Sequence, residues 1–213
     1  MIQLIYQQQY LLFALIAFAL VFSLTFHEFG HAKVASMIGD DTAERAGRLT
    51  LNPIPHIDPL GLLMVLLIGI GYAKPVPADP RKFNNRYGVM QVAAAGPAMN
   101  LLLAFVTINI YALGQKLGFA FFETSAAGVF FTMLAGINLL LMLFNLLPIG
   151  PLDGSYILPY ALPRETARRY LQLNARYGAY ALLGLIVINF LGVPVFQTLW
   201  QFVFQLLQLI IIF

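Results

Sequence analysis

Cysteine is absent from the 213-residue chain, which excludes disulfides, thiolate metal sites and a cysteine nucleophile. Any metal site must therefore be built from histidine and carboxylates. Histidine is scarce as well, at three residues, too few for the several histidine or carboxylate boxes of a membrane di-iron oxygenase. Asp, Glu, Lys and Arg together make up 10% of the chain, against roughly 25% in an ordinary soluble domain. The net charge of +3 is small and scattered, so a nucleic-acid surface is not expected. The opening "MIQLIYQQQY" places no Lys or Arg ahead of the first apolar run, unlike a cleaved signal peptide, so that run is expected to stay in the mature protein.

Apolar sequence fills the space that charge leaves. Hydrophobic residues make up 60% of the chain, above the roughly 45–50% of soluble domains, and they come in runs suited to an integral membrane protein. About 20 apolar residues carry a helix across a bilayer core, whereas runs of about 10 to 14 more often dip in without crossing. Spans are expected over 8–36, 87–113, 126–147, 177–191 and 195–213, the last two parted by Gly192 and Pro194. The stretch "LGLLMVLLIGIGYA" (60–73) is shorter and follows Pro59.

Charge asymmetry decides how that short stretch is read. Basic residues gather as Lys33, Arg45 and Arg48, as Lys74, Arg81, Lys82 and Arg86, and as Arg164, Arg168, Arg169 and Arg176. Cytoplasmic loops carry the excess of Lys and Arg, and all three groups share one side only if 60–73 re-enters. The expected fold is an all-α polytopic membrane protein of about five to six transmembrane helices, with a re-entrant segment, the N-terminus outside and the C-terminus inside. Before that segment, "DDTAERAGRLTLNPIPHIDPLG" combines Gly47, Leu49-Thr50-Leu51 and three prolines, which reads as a short β-hairpin or extended strand. No repeat or soluble domain is visible, and one membrane domain is expected over 1–213.

Residues 23–35, "SLTFHEFGHAKVA", interrupt the first apolar run with His27, Glu28 and His31. An ionisable group within an apolar span is costly and is a functional candidate for that reason. Four residues apart on a helix, His27 and His31 share a face, about 40° and about 6 Å of rise from each other. Both imidazoles can then reach one metal ion. Glu28 projects about 100° from His27, beside that ion. His-Glu-x-x-His is the arrangement of zinc hydrolases, with the Glu as general base. The plain alternative is a polar helix end facing headgroups, which leaves unexplained why two of only three histidines stand here.

A hydrolytic zinc site needs a third protein ligand and one open position. The metzincin extension would require Gly and His where Val34 and Met37 stand. Asp40, Asp41 and Glu44 belong to a charged loop, Asp79 accompanies Arg81 and Lys82, Glu123 is expected on the opposite face, and Glu165 sits among arginines. Asp58 and Asp153 remain. Asp153 lies in "FNLLPIGPLDGS", where Pro148, Gly150, Pro151 and Gly154 interrupt helix, and irregular backbone at membrane depth is tolerated where it lines a cavity. Its plain alternative is a cap for whatever follows.

The ordered set "HEFGH", "AGRLTLNPIPHIDPLG", "KPVPADPRKFNN" with "AAAGPAMN", and "NLLPIGPLDG" resembles the site-2 protease family of intramembrane zinc metalloproteases, over about residues 20 to 160. The resemblance implies one zinc ion per chain held by His27, His31 and Asp153, with Glu28 as general base. It implies that Asn145 and Pro148 help bind the substrate backbone. It also implies a membrane-associated β-hairpin near the zinc, for which residues 42–51 are suited, as an edge for the substrate strand. His56 and Asp58, with Asn52, match a prokaryotic subgroup's motif and would either support the site or hold the re-entrant turn. Gly96, Pro97 and Asn100 read as a close helix contact with a kink.

The implied activity is that of a zinc-dependent endopeptidase cutting transmembrane segments of membrane-protein substrates. Its catalytic core would cover about 8–160, with C-terminal helices over 177–213 and neither the PDZ nor the CBS domain of many relatives. The implied setting is the lipid bilayer of a prokaryotic cell membrane, with the active site toward the cytoplasm. One rival is a metal transporter or sensor, whose later spans would carry ionisable groups that are almost absent here. The other is a non-proteolytic scaffold that binds membrane helices, against which the intact Glu28 argues.

Overall fold

Backbone inside a bilayer has no water to bond, so helices, which satisfy their own N–H and C=O groups, are the form long apolar runs can take. In a computed structural model describing residues 1–68 and 73–213, the regular elements among the described residues are all helical. They are α1 (Ile2–Tyr6), α2 (Tyr10–Met37), α3 (Thr42–Arg45), α4 (Pro59–Ile68), α5 (Gly88–Lys116), α6 (Ser125–Asn145), α7 (Gly154–Ile157), α8 (Arg164–Phe190) and α9 (Val195–Ile210). Helices α2, α5, α6 and α8 are long and apolar enough to cross a membrane. The chain is an integral membrane protein.

Small residues set how closely the first two long helices approach. At the crossing of α2 and α5, a Cβ on Gly30 would stand 2.8 Å from the carbonyl oxygen of Ala95 and 3.2 Å from Met99 Cβ, and Ala32 and Ala35 on α2 and Ala93 on α5 are buried. Small side chains let helix backbones close up where lipid supplies no hydrophobic drive between helices. The two run antiparallel, Ser23 lying near Asn100 and His31 near Val92. Helix α6 returns parallel to α2, with Phe18 and Phe130 at 6.3 Å between ring centroids. Helix α9 completes the packing, its Val203 and Leu207 buried with Ala104, Ile108, Ala135 and Leu139.

The C-terminal region differs from the two successive spans expected over 177–191 and 195–213. Residues 164–176 are not a loop but the first half of α8. Tyr170 donates from its hydroxyl to the Pro148 carbonyl (3.0 Å), Gly178 packs on Gly150, and Asn189 Oδ1 accepts the Phe196 N–H (3.1 Å). Phe196 in turn stacks on Phe144, 5.9 Å away, at the C-terminal end of α6. Helix α8 thus begins and ends at the bundle end that holds the His-Glu-x-x-His stretch. Helix α9 makes the passage to the other end, where Asn109 bonds Ile210 O and Ile212 N (both 2.8 Å) and Lys116 sits over Phe213. The C-terminus therefore lies at the opposite end of the bundle from the motif, contrary to the expected placement. With 16 residues and about 24 Å, α9 falls short of an ordinary span.

The hairpin expected over 42–51 does not form, and no strand occurs among the described residues. Side-chain bonds occupy both halves of the segment, Thr50 giving its carbonyl to His56 and its hydroxyl oxygen to the Asn52 N–H. The Asp40 carboxylate takes both the N–H (3.0 Å) and the hydroxyl of Thr42, which folds the chain into a turn. Arg45 pairs with Asp41 across one helical turn (2.6 Å), and Gly47 ends α3 at φ +67°. The re-entrant segment expected over 60–73 is not supported either: helix α4 occupies Pro59–Ile68, and residues 69–72, where a return would occur, lie outside the described residues.

Because the α2–α5 contact has no room at Gly30, Gly30→Ala is expected to destabilise by about 1–3 kcal/mol, a fall in Tm on the order of 5 °C in detergent. Gly184→Ala on α8, where a Cβ meets nothing within 4 Å, should hold or raise Tm.

Candidate metal centre

Helix α2 turns His27 and His31 toward α5, and α5 answers with a residue that has no side chain. A Cβ on Gly96 would collide with His31 Nε2 and with the His27 ring, so only glycine leaves space for both imidazoles. The ring nitrogens farther from the pair are each held. His27 Nδ1 lies 2.6 Å from Asn100 Oδ1, and His31 Nδ1 lies 2.7 Å from the Val92 carbonyl. Asn100 directs its amide nitrogen to Asn138 Oδ1 (2.9 Å) and Ser23 O (3.3 Å), which leaves its oxygen as the acceptor for His27. Both imidazoles therefore carry their proton on Nδ1 and present an Nε2 lone pair.

Asp153 arrives from the turn after α6. Gly154 packs against the Leu146 and Leu147 carbonyls with no space for a Cβ, which folds the turn back on the helix. Asp153 makes no capping bond to α7, so the alternative role as a cap is not what the structure displays. Its Oδ2 is buried without a hydrogen-bond partner, 3.2 Å from His27 Nε2 and 3.5 Å from His31 Nε2, which are 3.0 Å from each other. Three lone-pair atoms facing one another repel unless a cation lies between them. Ligands at about 2.0–2.2 Å in tetrahedral geometry stand roughly 3.3 Å apart, and the observed separations bracket that value. The donor set fits a zinc ion.

Glu28 is buried beside this cluster, 8% exposed. Its Oε2 accepts the N–H of Val76 (3.1 Å), a residue of the extended stretch between α4 and α5. The rim of that stretch is anchored by carboxylates. Asp40 is fully buried; although burial pushes its carboxyl up, hydrogen bonds from Thr42 and from the Asp79 N–H hold it below its usual range. The Arg81 side chain, together with the Arg81 N–H, brings the Asp79 carboxyl down to about 2.

The other candidate residues make their hydrogen bonds outside the cluster. Asn145 turns its amide nitrogen back to Leu141 O on its own helix (3.0 Å), and Pro148 is exposed, with its carbonyl accepting from Tyr170. Asn52 Oδ1 accepts the Ile54 N–H (3.1 Å), and Asp58 Oδ1 accepts the N–H groups of Leu60 and Gly61 (3.0 and 2.9 Å), capping α4. His56 is buried between Thr50 O (2.9 Å) and Arg48 (3.4 Å). Asn100 is the residue that sequence reasoning undervalued. A carboxamide within an apolar span needs a partner, and Asn100 and Asn138 in facing spans were the available signal.

The profile of peptidase family M50 matches residues 15–190. The chain belongs to that family. Among curated relatives, it is 41% identical over 171 residues to "Putative zinc metalloprotease YwhC" of Bacillus subtilis, an alignment covering 79% of this chain and 78% of that protein. It is 35% identical over 164 residues to "Putative zinc metalloprotease Rip2" of Mycolicibacterium smegmatis, covering 73% and 60%. Rip2 of Mycobacterium tuberculosis H37Rv is 36% identical over 151 residues, covering 68% and 56%, so this M50 chain spans little more than half of the mycobacterial proteins. No solved structure matches it significantly.

Residues that orient a metal-binding His carry roughly 10–100-fold in metal affinity. Asn100→Leu is therefore expected to release zinc to a competing chelator at 10–100-fold lower chelator strength. Asn100→Asp, which keeps the acceptor for His27 Nδ1, should lose less.

Proposed function

We propose that this M50 metalloprotease is a zinc-dependent intramembrane endopeptidase that cleaves within or beside transmembrane segments of other membrane proteins. The observation that carries the reading is the convergence of His27 Nε2, His31 Nε2 and the unpartnered Asp153 Oδ2, with Glu28 buried beside them. His27, His31 and Asp153 would hold one zinc ion, and Glu28 would be the general base. When bound, zinc acidifies water toward a pKa of about 7 and polarises the carbonyl under attack.

The rest of the chemistry belongs to the chain. Val76 N–H on Oε2 steadies the Glu28 carboxylate, leaving Oε1 to take a proton from the attacking water and return it to the departing amine. Asn100 and Val92 keep both imidazoles in the tautomer that donates through Nε2. A helical substrate has its carbonyls bonded internally, so it must unwind locally before attack. The irregular turn through Pro148, Gly150 and Gly154 supports a cavity that receives extended chain. With its Nδ2 bonded to Leu141 O, Asn145 would have Oδ1 to offer a substrate N–H, and Pro148 would border the same path. Arg81, Lys82 and Arg86, close in sequence to the Val76 stretch, support an active site toward the cytoplasm of a prokaryotic cell membrane. Residues 8–160 would form the catalytic core of a single domain over 1–213.

The test is cleavage of a panel of single-span peptides by the purified zinc-loaded protein, with and without chelator. Glu28→Gln should retain one zinc per chain while cleavage falls by about 10²–10⁴-fold. A Glu28→Gln protein that cuts at the wild-type rate would remove Glu28 from its role. Wild-type protein that binds zinc and moves it across vesicles without cutting any peptide would favour transport instead.

A further inference from the structure

Residues 74–77, Lys-Pro-Val-Pro, place one backbone donor between two prolines. Proline has no N–H and a restricted φ, so within Pro75-Val76-Pro77 only Val76 can donate, and it donates to Glu28 Oε2 (3.1 Å). The carbonyls just ahead of it are held by one side chain. Arg48 Nη1 donates to Pro75 O (3.1 Å) and Nη2 to Lys74 O.

Arg48 is an unusual residue to find there. It is 5% exposed, pairs with no carboxylate among the described residues, and its Nε has no partner. Burial disfavours its charge, which the negative charge of Glu28 supports through space without a direct bond, and a loop that merely needed its carbonyls satisfied could leave them to water. The planar guanidinium spans two successive carbonyls in a set geometry, which a lysine cannot do. His56 backs it: Nε2 donates to Thr50 O (2.9 Å), which turns Nδ1 toward Arg48 Nη2 (3.4 Å), while its carbonyl accepts the Lys74 N–H (2.9 Å). At the other end of the stretch, Asp40 Oδ2 takes the Asp79 N–H (2.7 Å). The strap is tied on both sides of the Val76 donor.

We infer that Arg48 is a positioning residue for Glu28, acting through the backbone of residues 74–76, with His56 holding the guanidinium in place. The inference rests on the reading of Glu28 as general base. Arg48 touches neither metal ligand nor Glu28 by hydrogen bond; it sets the strap, and the strap sets the carboxylate. Hydrogen bonds to charged groups carry a factor of roughly ten to a hundred, which is the loss in turnover expected when the Val76 donor is displaced.

Steady-state cleavage of a single-span peptide by the zinc-loaded, full-length protein in detergent tests this. Arg48→Met and Val76→Pro should each lower kcat roughly 10–100-fold, with KM within about twofold and zinc content unchanged. Val76→Ala keeps the N–H and should fall well short of that loss, and Arg48→Lys should recover only part of the Arg48→Met defect. Val76→Pro at wild-type kcat overturns the inference, as does an equal loss in Val76→Ala and Val76→Pro. If Arg48→Met fails to fold, Arg48→Lys takes its place, and wild-type kcat in that variant overturns the inference. Failure of the base assignment has its own signature, full cleavage by Glu28→Gln, and is read separately.

Discussion

At the crossing of α2 and α5, neither Gly30 nor Gly96 has space for a single additional carbon, and the site depends on that closeness. With Gly96 beneath the two imidazoles, the backbone of α5 becomes their floor. The Val92 carbonyl and the Asn100 amide then come within reach of the two Nδ1 atoms, and both Nε2 lone pairs are turned outward to the place where Asp153 arrives. A bulkier crossing would separate the helices and leave the histidines free to rotate. Tight packing is here the means by which a protonation pattern is imposed.

Amides at this depth need partners, because one left unbonded in apolar surroundings costs several kcal/mol. The structure answers them with a chain of bonds that crosses three helices. His27 bonds Asn100, Asn100 bonds Asn138 and the Ser23 carbonyl, and Asn138 closes on Leu134 O. This network ties α2, α5 and α6 by direction as well as by shape, since each member has a fixed donor and acceptor. The same logic recurs at the far end, where Asn109 serves both the carbonyl of Ile210 and the N–H of Ile212 as α9 ends.

Much of this was legible in the sequence, for reasons that differ by residue. His27, Glu28 and His31 are legible because helix periodicity alone puts the pair on one face. Residue chemistry narrowed the third partner only to Asp58 or Asp153; the structure separates them, Asp58 capping α4 while Asp153 Oδ2 stands unbonded by the histidines. Asn100 was visible but carried no spacing signal, since its meaning depends on Asn138 and His27 in other helices. The hairpin reading failed because the Asp40–Thr42 turn and α3 take up its first half, while Thr50 gives its carbonyl to His56 and its hydroxyl oxygen to the Asn52 N–H. The spans over 177–191 and 195–213 were read from hydropathy, which measures how well a segment suits lipid and says nothing of where its ends are tied. Tyr170, Gly178 and Asn189 hold α8 to one end of the bundle, and no hydropathy profile contains those contacts.

The separation of Asp153 from the histidines along the chain also has a meaning in time. Translation proceeds at roughly 5–20 residues per second, and more than a hundred residues lie between His31 and Asp153, so the histidine pair emerges on the order of ten seconds before its third partner. Helices α2 and α5 can meet in that interval and set both imidazoles, yet two neutral ligands grip a metal weakly. Only when α6 is in place and its C-terminal turn folds back can the carboxylate reach the two imidazoles. The three groups can thus come together only after α2, α5 and α6 have met, while α8 and α9 are still to follow in the chain.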